Sequence, residues 1–343
     1  MRKWLLFLFL SCLTFPLCLG QEDIQELIRK LSDKEILNRF EAVNKLKEMR
    51  KKAIPAIPAL IKMLLEENYS YTRAEAARAL GEIGEEASSS VPALTKALTD
   101  VYHVKIEAII ALRKIGEKSI SAIPSLIEVF NSSSRQYYGL VGCEETIDTL
   151  CDMGEKAIPE LASALKHKNP GVVACSLVVL ENISKRINII NKPEMIQAIP
   201  SLIKIYAEQR KCVLRFRISH GDIRSNMFMY LSAARILSRM GDRPVPDLLH
   251  LFAQEGFQLS PVYPRLCERE IIAEEELSEQ EKEERRGHPK IYATDILIKI
   301  GKPALPRLEE ALHEKEFVQV HDDLKKLILH IKKSLYPEYL YLT

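Results

Sequence analysis

Cysteine, glycine and net charge are all scarce in this chain, and each scarcity removes a class of protein. Seven cysteines in 343 residues are too few for a disulfide-stapled scaffold. Thirteen glycines exclude a collagen-like rod. Lys and Arg number 49 against 47 Asp and Glu, a formal charge of +2. A near-neutral chain lacks the strong basic excess of a polyanion binder, so nucleic acid is not an expected partner. Hydrophobic residues make up 47% and charged residues 28%, a balance that excludes wholesale disorder and a polytopic membrane protein.

Catalytic signatures are missing too. The sequence has no G-x-S-x-G, no H-E-x-x-H, no phosphate loop and no dinucleotide fingerprint. His313-Glu314 begins like a zinc motif without the second histidine, and the adjacent His321, Asp322 and Asp323 do not converge on one metal from a helix. Cys212 and His220 have no third group to orient them. The expectation is a protein that is not an enzyme, with no metal and no cofactor.

The length predicts about two ordinary domains or one extended array. Met1-Arg2-Lys3 is followed by an uncharged stretch, Trp4 to Leu19, with Cys18 and Gly20 at the −3 and −1 places of a cut before Gln21. A short basic start, an apolar stretch and small residues at its end form the pattern of a cleaved export signal. Two other readings stay open: a lipobox-like Phe9-Leu10-Ser11-Cys12 that tethers the protein by lipid, and an uncleaved anchor. The expected boundaries are a signal at 1–20 and a mature chain at 21–343, periplasmic or secreted, with no integral membrane span. Cleavage removes two cations and no acid, so 47 charges of each sign remain.

The mature chain repeats itself. Ile57-Pro58-Ala59-Leu60 returns at Pro92, Pro124, Pro159, Pro200, Pro246 and Pro306, each preceded by Ile, Val or Leu and followed two residues later by Leu. A second phrase, Leu80-Gly81-Glu82-Ile83-Gly84, returns as a leucine four residues ahead of a glycine at Leu112, Leu150, Leu237 and Leu297. Leu180 keeps the phrase with Ser184 for glycine, and Leu46 to Arg50 is a degenerate first copy. Proline is tolerated in a first helical turn, where its missing N–H has no partner anyway. Apolar residues at helical spacing follow it, then a polar break, a second amphipathic helix and a glycine suited to a left-handed cap. Each unit therefore reads as a helical hairpin with one apolar side, which only a stacked neighbour can bury.

These phrases resemble the HEAT-repeat family, particularly the short subclass also found in phycobilin lyases. The resemblance spans about residues 22–335 in roughly eight units, strongest from Pro58 to Ser184 and weakest from 205 to 292. It implies an all-α fold, a right-handed, armadillo-like α-solenoid of about eight HEAT-like hairpins. In the family, a basic residue early in each second helix tends to form a polar ladder between repeats. Aligning the leucines places Arg39, Arg73, Lys105 and Lys290 at that position, with Cys143, Val173 and Tyr230 interrupting it.

Departures from the period are the functional leads, because insertions map to loops and often to a binding face. Residues 131–142 carry Tyr137 and Tyr138, candidate exposed anchors for a partner. Residues 207–229 form an expected cationic loop in which Arg215, Phe216, Arg217 and Arg224 suit an anionic group. Residues 253–290 hold the acidic run from Glu274 to Glu284, with a capping-box start at Ser278. Cys143 and Cys151 lie two turns apart on one predicted helix, too far for a disulfide, and Cys175 reads as core. Asn68, Asn131 and Asn182 begin Asn-x-Ser sequences, acceptors only in a host that glycosylates exported proteins.

The expected function is a non-enzymatic exported scaffold or adaptor that binds another protein through a solenoid face or inserted loops. The alternatives are a lipid-tethered structural envelope component and, from the lyase-type repeats, a chromophore-handling enzyme.

Overall fold

The structure is a computed structural model describing residues 23–132, 142–207, 211–218, 221–253 and 289–335. The expected export signal, Tyr137, Tyr138, Cys267 and the acidic run 274–284 lie outside the described residues. The chain divides into two compact units, Met1–Ala122 and Ile123–Thr343.

Among the described residues the first unit holds three helical hairpins. They are α1 (Ile24–Lys30) with α2 (Ile36–Met49), α3 (Ile57–Glu66) with α4 (Ser70–Ile83), and α5 (Val91–Ala97) with α6 (Tyr102–Ile115). A seven-residue 3-10 segment follows each second helix, at Arg50–Ala56, Gly84–Ser90 and Gly116–Ala122. The second helices lie side by side, α4 packed between α2 and α6.

Among the described residues the second unit holds five more. These are α7 (Ile123–Ser132) with α8 (Cys143–Met153), α9 (Ile158–Ala164) with α10 (Pro170–Arg186), and α11 (Pro193–Ala207) with α12 (Met229–Arg239). Then come α13 (Val245–Phe252) with α14 (Pro289–Ile300), and α15 (Leu305–Ala311) with α16 (His321–Leu335). Here α10 packs against both α8 and α12, and α12 also packs against α14. Each unit is a stretch of α-solenoid, in which every hairpin buries the apolar side it cannot cover alone.

The two sequence phrases are the core. The leucine after each proline (Leu60, Leu94, Leu126, Leu161, Leu202, Leu248, Leu308) is 0% exposed. The leucine ahead of each glycine (Leu46, Leu80, Leu112, Leu150, Leu180, Leu237, Leu297) is at most 1% exposed. One phrase leucine per helix thus fills the centre of the stack from α2 through α15. Cys143, Cys151 and Cys175 are buried, and burial, the largest influence, pushes the Cys151 thiol up. A buried, protonated thiol is a poor nucleophile.

Four local expectations need correcting. The glycines do take positive φ, but Gly84 (φ 82, ψ −140), Gly116 (φ 71, ψ −134) and Gly154 (φ 56, ψ −126) have extended ψ, not the left-handed helical ψ of about +47°. That combination swings the chain straight into the following 3-10 segment. Ser184, standing where glycine is expected, does not turn the chain; α10 runs on to Arg186, since a side chain disfavours positive φ. Pro200 lies inside α11 rather than in its first turn. With no positive-φ turn before it, and with Pro193 supplying a preset first-turn φ, the segment that is 3-10 in earlier repeats is α-helical there.

The fourth correction concerns the insertion at 207–229, which is not a loop. Lys211–Ile218 and Gly221–Phe228 pair as an antiparallel hairpin, β1 and β2, with Arg215 opposite Arg224 and Ile218 opposite Gly221. Val213, Leu214, Phe216 and Ile218 form a run of the β-branched and apolar residues that favour strands.

Candidate functional site

Arg39 stands at the start of α2 and reaches toward the next hairpin. Its Nε and Nη2 donate to Glu67 at 2.7 and 3.1 Å, while Nη1 donates to the carbonyls of Asp33 and Lys34 at 2.9 and 3.1 Å. One repeat later Arg73 does the same from α4. Its Nε and Nη2 donate to Asp100 at 2.8 and 2.7 Å, and Nη1 donates to the carbonyls of Glu67 and Asn68 at 2.8 and 3.1 Å. Each guanidinium therefore closes its own interhelix turn and clamps the turn of the next repeat. Only the planar five-donor fork of arginine fits both tasks. Burial, the largest influence, pushes the Asp100 carboxyl up, but the Arg73 fork and the Val101 amide outweigh it and leave it below the ordinary range. Glu67 is lowered in the same way, burial opposing the Arg39 fork and the Tyr69 amide.

Lys105 is the third residue of this series and stands half-buried at the equivalent place on α6. Lys290 is in α14. Cys143 and Val173, which interrupt the series, are fully buried. In the second unit the polar link between neighbouring second helices sits elsewhere. Glu181 on α10 accepts from Ser232 at 2.7 Å and from Arg235 at 3.3 Å, both on α12. Burial pushes the Glu181 carboxyl up, and the Ser232 bond with the Arg235 and Lys185 charges brings it below the ordinary range.

A second charged row crosses the second helices of the first unit. Lys47 on α2 donates to Glu75 on α4 at 2.6 Å, Arg78 donates to Glu75 at 2.8 Å, and Arg78 also bonds Glu107 on α6. One turn on, Lys114 donates to Glu82 at 2.7 Å. This row is internally neutralised and offers little free charge to a ligand.

Beside the arginine series runs a feature that the repeat phrases do not advertise. Leu37, Tyr71 and His103 occupy equivalent positions on α2, α4 and α6, two residues before Arg39, Arg73 and Lys105. Leu37 is 76% exposed, Tyr71 73% and Tyr102 60%, and Phe40, Tyr69 and Val101 on the same edge are also exposed. Tyr71 and His103 stack with ring centroids 4.5 Å apart at 16°. His103 Nε2 and Ser70 Oγ share a hydrogen bond of 2.8 Å, which fixes the ring that supports Tyr71. Leu37 and Tyr71 at repeat-equivalent positions, with Tyr102 next to the third position at His103, form a ridge along one edge of the first unit. In sequence the ridge shows only as Leu37 and Tyr71, each nine residues ahead of its phrase leucine, with His103 at the third such place.

The other predicted residues are dispersed. Arg215, Phe216, Arg217 and Arg224 lie on β1 and β2, with Arg217 in register with Asp222. Tyr137 and Tyr138 fall outside the described residues. Among the described residues no group of three or more His, Cys, Asp or Glu side chains is placed to hold a metal, and no helix is long and apolar enough to cross a membrane.

Comparison with known proteins follows the same line. A family model for HEAT repeats matches residues 57–138. None of the curated proteins matches the chain by sequence. Among solved structures, the CpcE and CpcF complex of phycocyanin lyase from Nostoc sp. PCC7120 is 19% identical with a TM-score of 0.38, covering 92% of this chain and 97% of its own. A designed armadillo repeat protein in complex with the peptide (KR)4 is 18% identical with a TM-score of 0.40, covering 64% of this chain and 100% of its own. The karyopherin Kap121p bound to the extreme C-terminus of the protein phosphatase Cdc14p is 13% identical with a TM-score of 0.36, covering 94% of this chain and 44% of its own. The phrase leucines are buried at one place in hairpin after hairpin, and residues 57–138, among the most regular of those hairpins, match HEAT repeats.

Proposed function

We propose that this protein is a non-enzymatic, exported scaffold or adaptor that docks another protein on the ridge of its first unit. The observation that carries the reading is the exposed row Leu37, Tyr71 and Tyr102, set on helices whose spacing is clamped by Arg39 and Arg73. Soluble proteins rarely leave aligned large apolar side chains in water without a partner for them. Tyrosine is favoured as an anchor because it offers a rigid apolar body with a polar tip at small entropic cost. Stacked repeats present such anchors at fixed intervals along an extended surface. Export rests on the sequence of residues 1–20, and a mature N-terminus at Gln21, read by mass spectrometry, is the expected result. A diacylated Cys12 would instead favour the tethered reading.

The experiment is affinity capture from the extracytoplasmic fraction with three baits. These are the intact mature chain, the Tyr71→Ser/Tyr102→Ser variant, and a variant lacking residues 207–229. Loss of a partner from the tyrosine variant alone supports the ridge. Loss from the deletion alone moves the contact to the hairpin and its arginines. Identical partners on all three baits sink both assignments.

A further inference from the structure

We infer that the ridge takes an extended acidic segment of its partner, with one partner carboxylate closing the third rung at Lys105; this rests on the ridge being the docking surface. Arg39 holds a carboxylate 28 residues further along the chain, and Arg73 holds one 27 residues further along. The equivalent place for Lys105 falls at Ser132 and Ser133, and residues 131–142 contain no Asp or Glu. The next repeat therefore has no carboxylate at the place equivalent to Glu67 and Asp100; its acids are Glu128 on α7 and Glu144, Glu145, Asp148 and Asp152 on α8. Among the described residues Lys105 makes no ion pair and no side-chain hydrogen bond. The neighbouring acids are occupied, Asp100 by Arg73 and Glu107 by Arg78.

The rung also differs in kind. Lysine replaces arginine at this one of the three positions, and a lysine holds a carboxylate as a point charge on a flexible stem rather than through a fixed fork. That suits an acceptor arriving from another molecule. Lys105 stands two residues from His103, the ring stacked on Tyr71, and three from exposed Tyr102. A segment that alternates acidic and aliphatic residues satisfies both features at once: a carboxylate reaches Lys105 while the flanking aliphatic side chains cover the tyrosines. A basic segment meets an uncompensated cation at the same place, so the sign of the partner is set by the missing acid.

The test uses the intact mature chain and three fluorescein-labelled twelve-residue probes, of alternating leucine and glutamate, leucine and glutamine, or leucine and lysine, read by fluorescence anisotropy. The glutamate probe is expected to bind about tenfold more tightly than the glutamine probe, the equivalent of one charge pair of about 1.4 kcal/mol. Lys105→Glu should remove that advantage and transfer it to the lysine probe, and Tyr71→Ser should weaken whichever probe binds. Equal binding of all three probes, or no response to Lys105→Glu, overturns the acidic partner. If the glutamine probe still depends on Tyr71 in that case, the ridge stands as a docking surface and only the charge assignment fails. If no probe responds to Tyr71→Ser, both fail. Self-association abolished by Tyr71→Ser in sedimentation, with no probe bound, assigns the ridge to a second copy and also overturns the proposal.

Discussion

Arg73 grips Asp100 with two nitrogens at 2.7 and 2.8 Å across the boundary between consecutive hairpins, and the same hand closes the turn of its own hairpin. The pair is largely covered, with 16% of the arginine and 22% of the aspartate side chain exposed. Removing one partner strands the other, at a cost of about 2 kcal/mol. Asp100→Ala is therefore expected to destabilise the first unit by about that amount, and the Arg73→Ala/Asp100→Ala double variant by less than the two singles added. Urea unfolding of the four proteins checks it, and additive losses would show the two residues to be independent.

The same pairs set an acid limit. Glu67 and Asp100 have carboxyls held below their ordinary values in the fold. Stability from a lowered carboxyl is present in full above the unfolded value, roughly pH 4, and is lost as the pH falls through the folded value. Unfolding free energy should thus drop from pH 5 toward pH 2 more steeply in the native chain than in Glu67→Gln/Asp100→Asn. Parallel pH profiles would mean that other carboxylates dominate the acid response.

Gly81 and Ala111 mark the closest approach of α4 and α6. A Cβ placed on Gly81 would lie 2.8 Å from Ala111 Cα, a backbone atom that a rotamer change cannot move aside. Alanine gains about 1 kcal/mol of helix propensity over glycine, yet overpacking of this kind costs about 1–3 kcal/mol. Gly81→Ala is expected to lower the melting temperature despite the better helix former. A rise would mean that α4 and α6 separate without penalty.

Arg50 holds the conformation that glycine holds in later repeats, with φ 50 and ψ −125, against φ 71 and ψ −134 at Gly116. Residues with a Cβ store about 1–3 kcal/mol in such regions, while glycine costs about 0.5–1 kcal/mol in chain entropy. The distant contact of Arg50 with Glu82, 3.8 Å with the arginine 75% exposed, adds little. Arg50→Gly should stabilise by about 1 kcal/mol. Gly116→Ala, where nothing lies within 4 Å of the added methyl, should destabilise by a comparable amount. Thermal denaturation of both decides it, and a loss with Arg50→Gly or a gain with Gly116→Ala would refute the strain.

Much of this was legible before any coordinates, for a physical reason. Proline and glycine punctuate chains through local backbone limits, and leucine at Leu60 or Leu80 is forced inward by helical spacing alone, so repeated phrases become repeated hairpins. What failed were positions where a neighbour overrides the local rule. Pro200 was absorbed by a helix begun at Pro193, and Ser184 let α10 run on. The pairing of Lys211–Ile218 with Gly221–Phe228 is local, but the charge of the segment concealed its strand-forming residues. The ridge was hidden differently. Leu37 and Tyr71 sit inside regular repeats, where an apolar residue is read as core until the stacking places it on the outside.

Site-specific photo-crosslinking tests the docking claim most directly. A benzophenone side chain at position 71 or 102, installed in the protein under native conditions, is expected to yield a discrete adduct of higher mass. The same group at position 318, equally exposed at 67% but in the second unit, is expected to yield none. Adducts at 318 with none at 71 and 102 would contradict the ridge as the protein's binding surface.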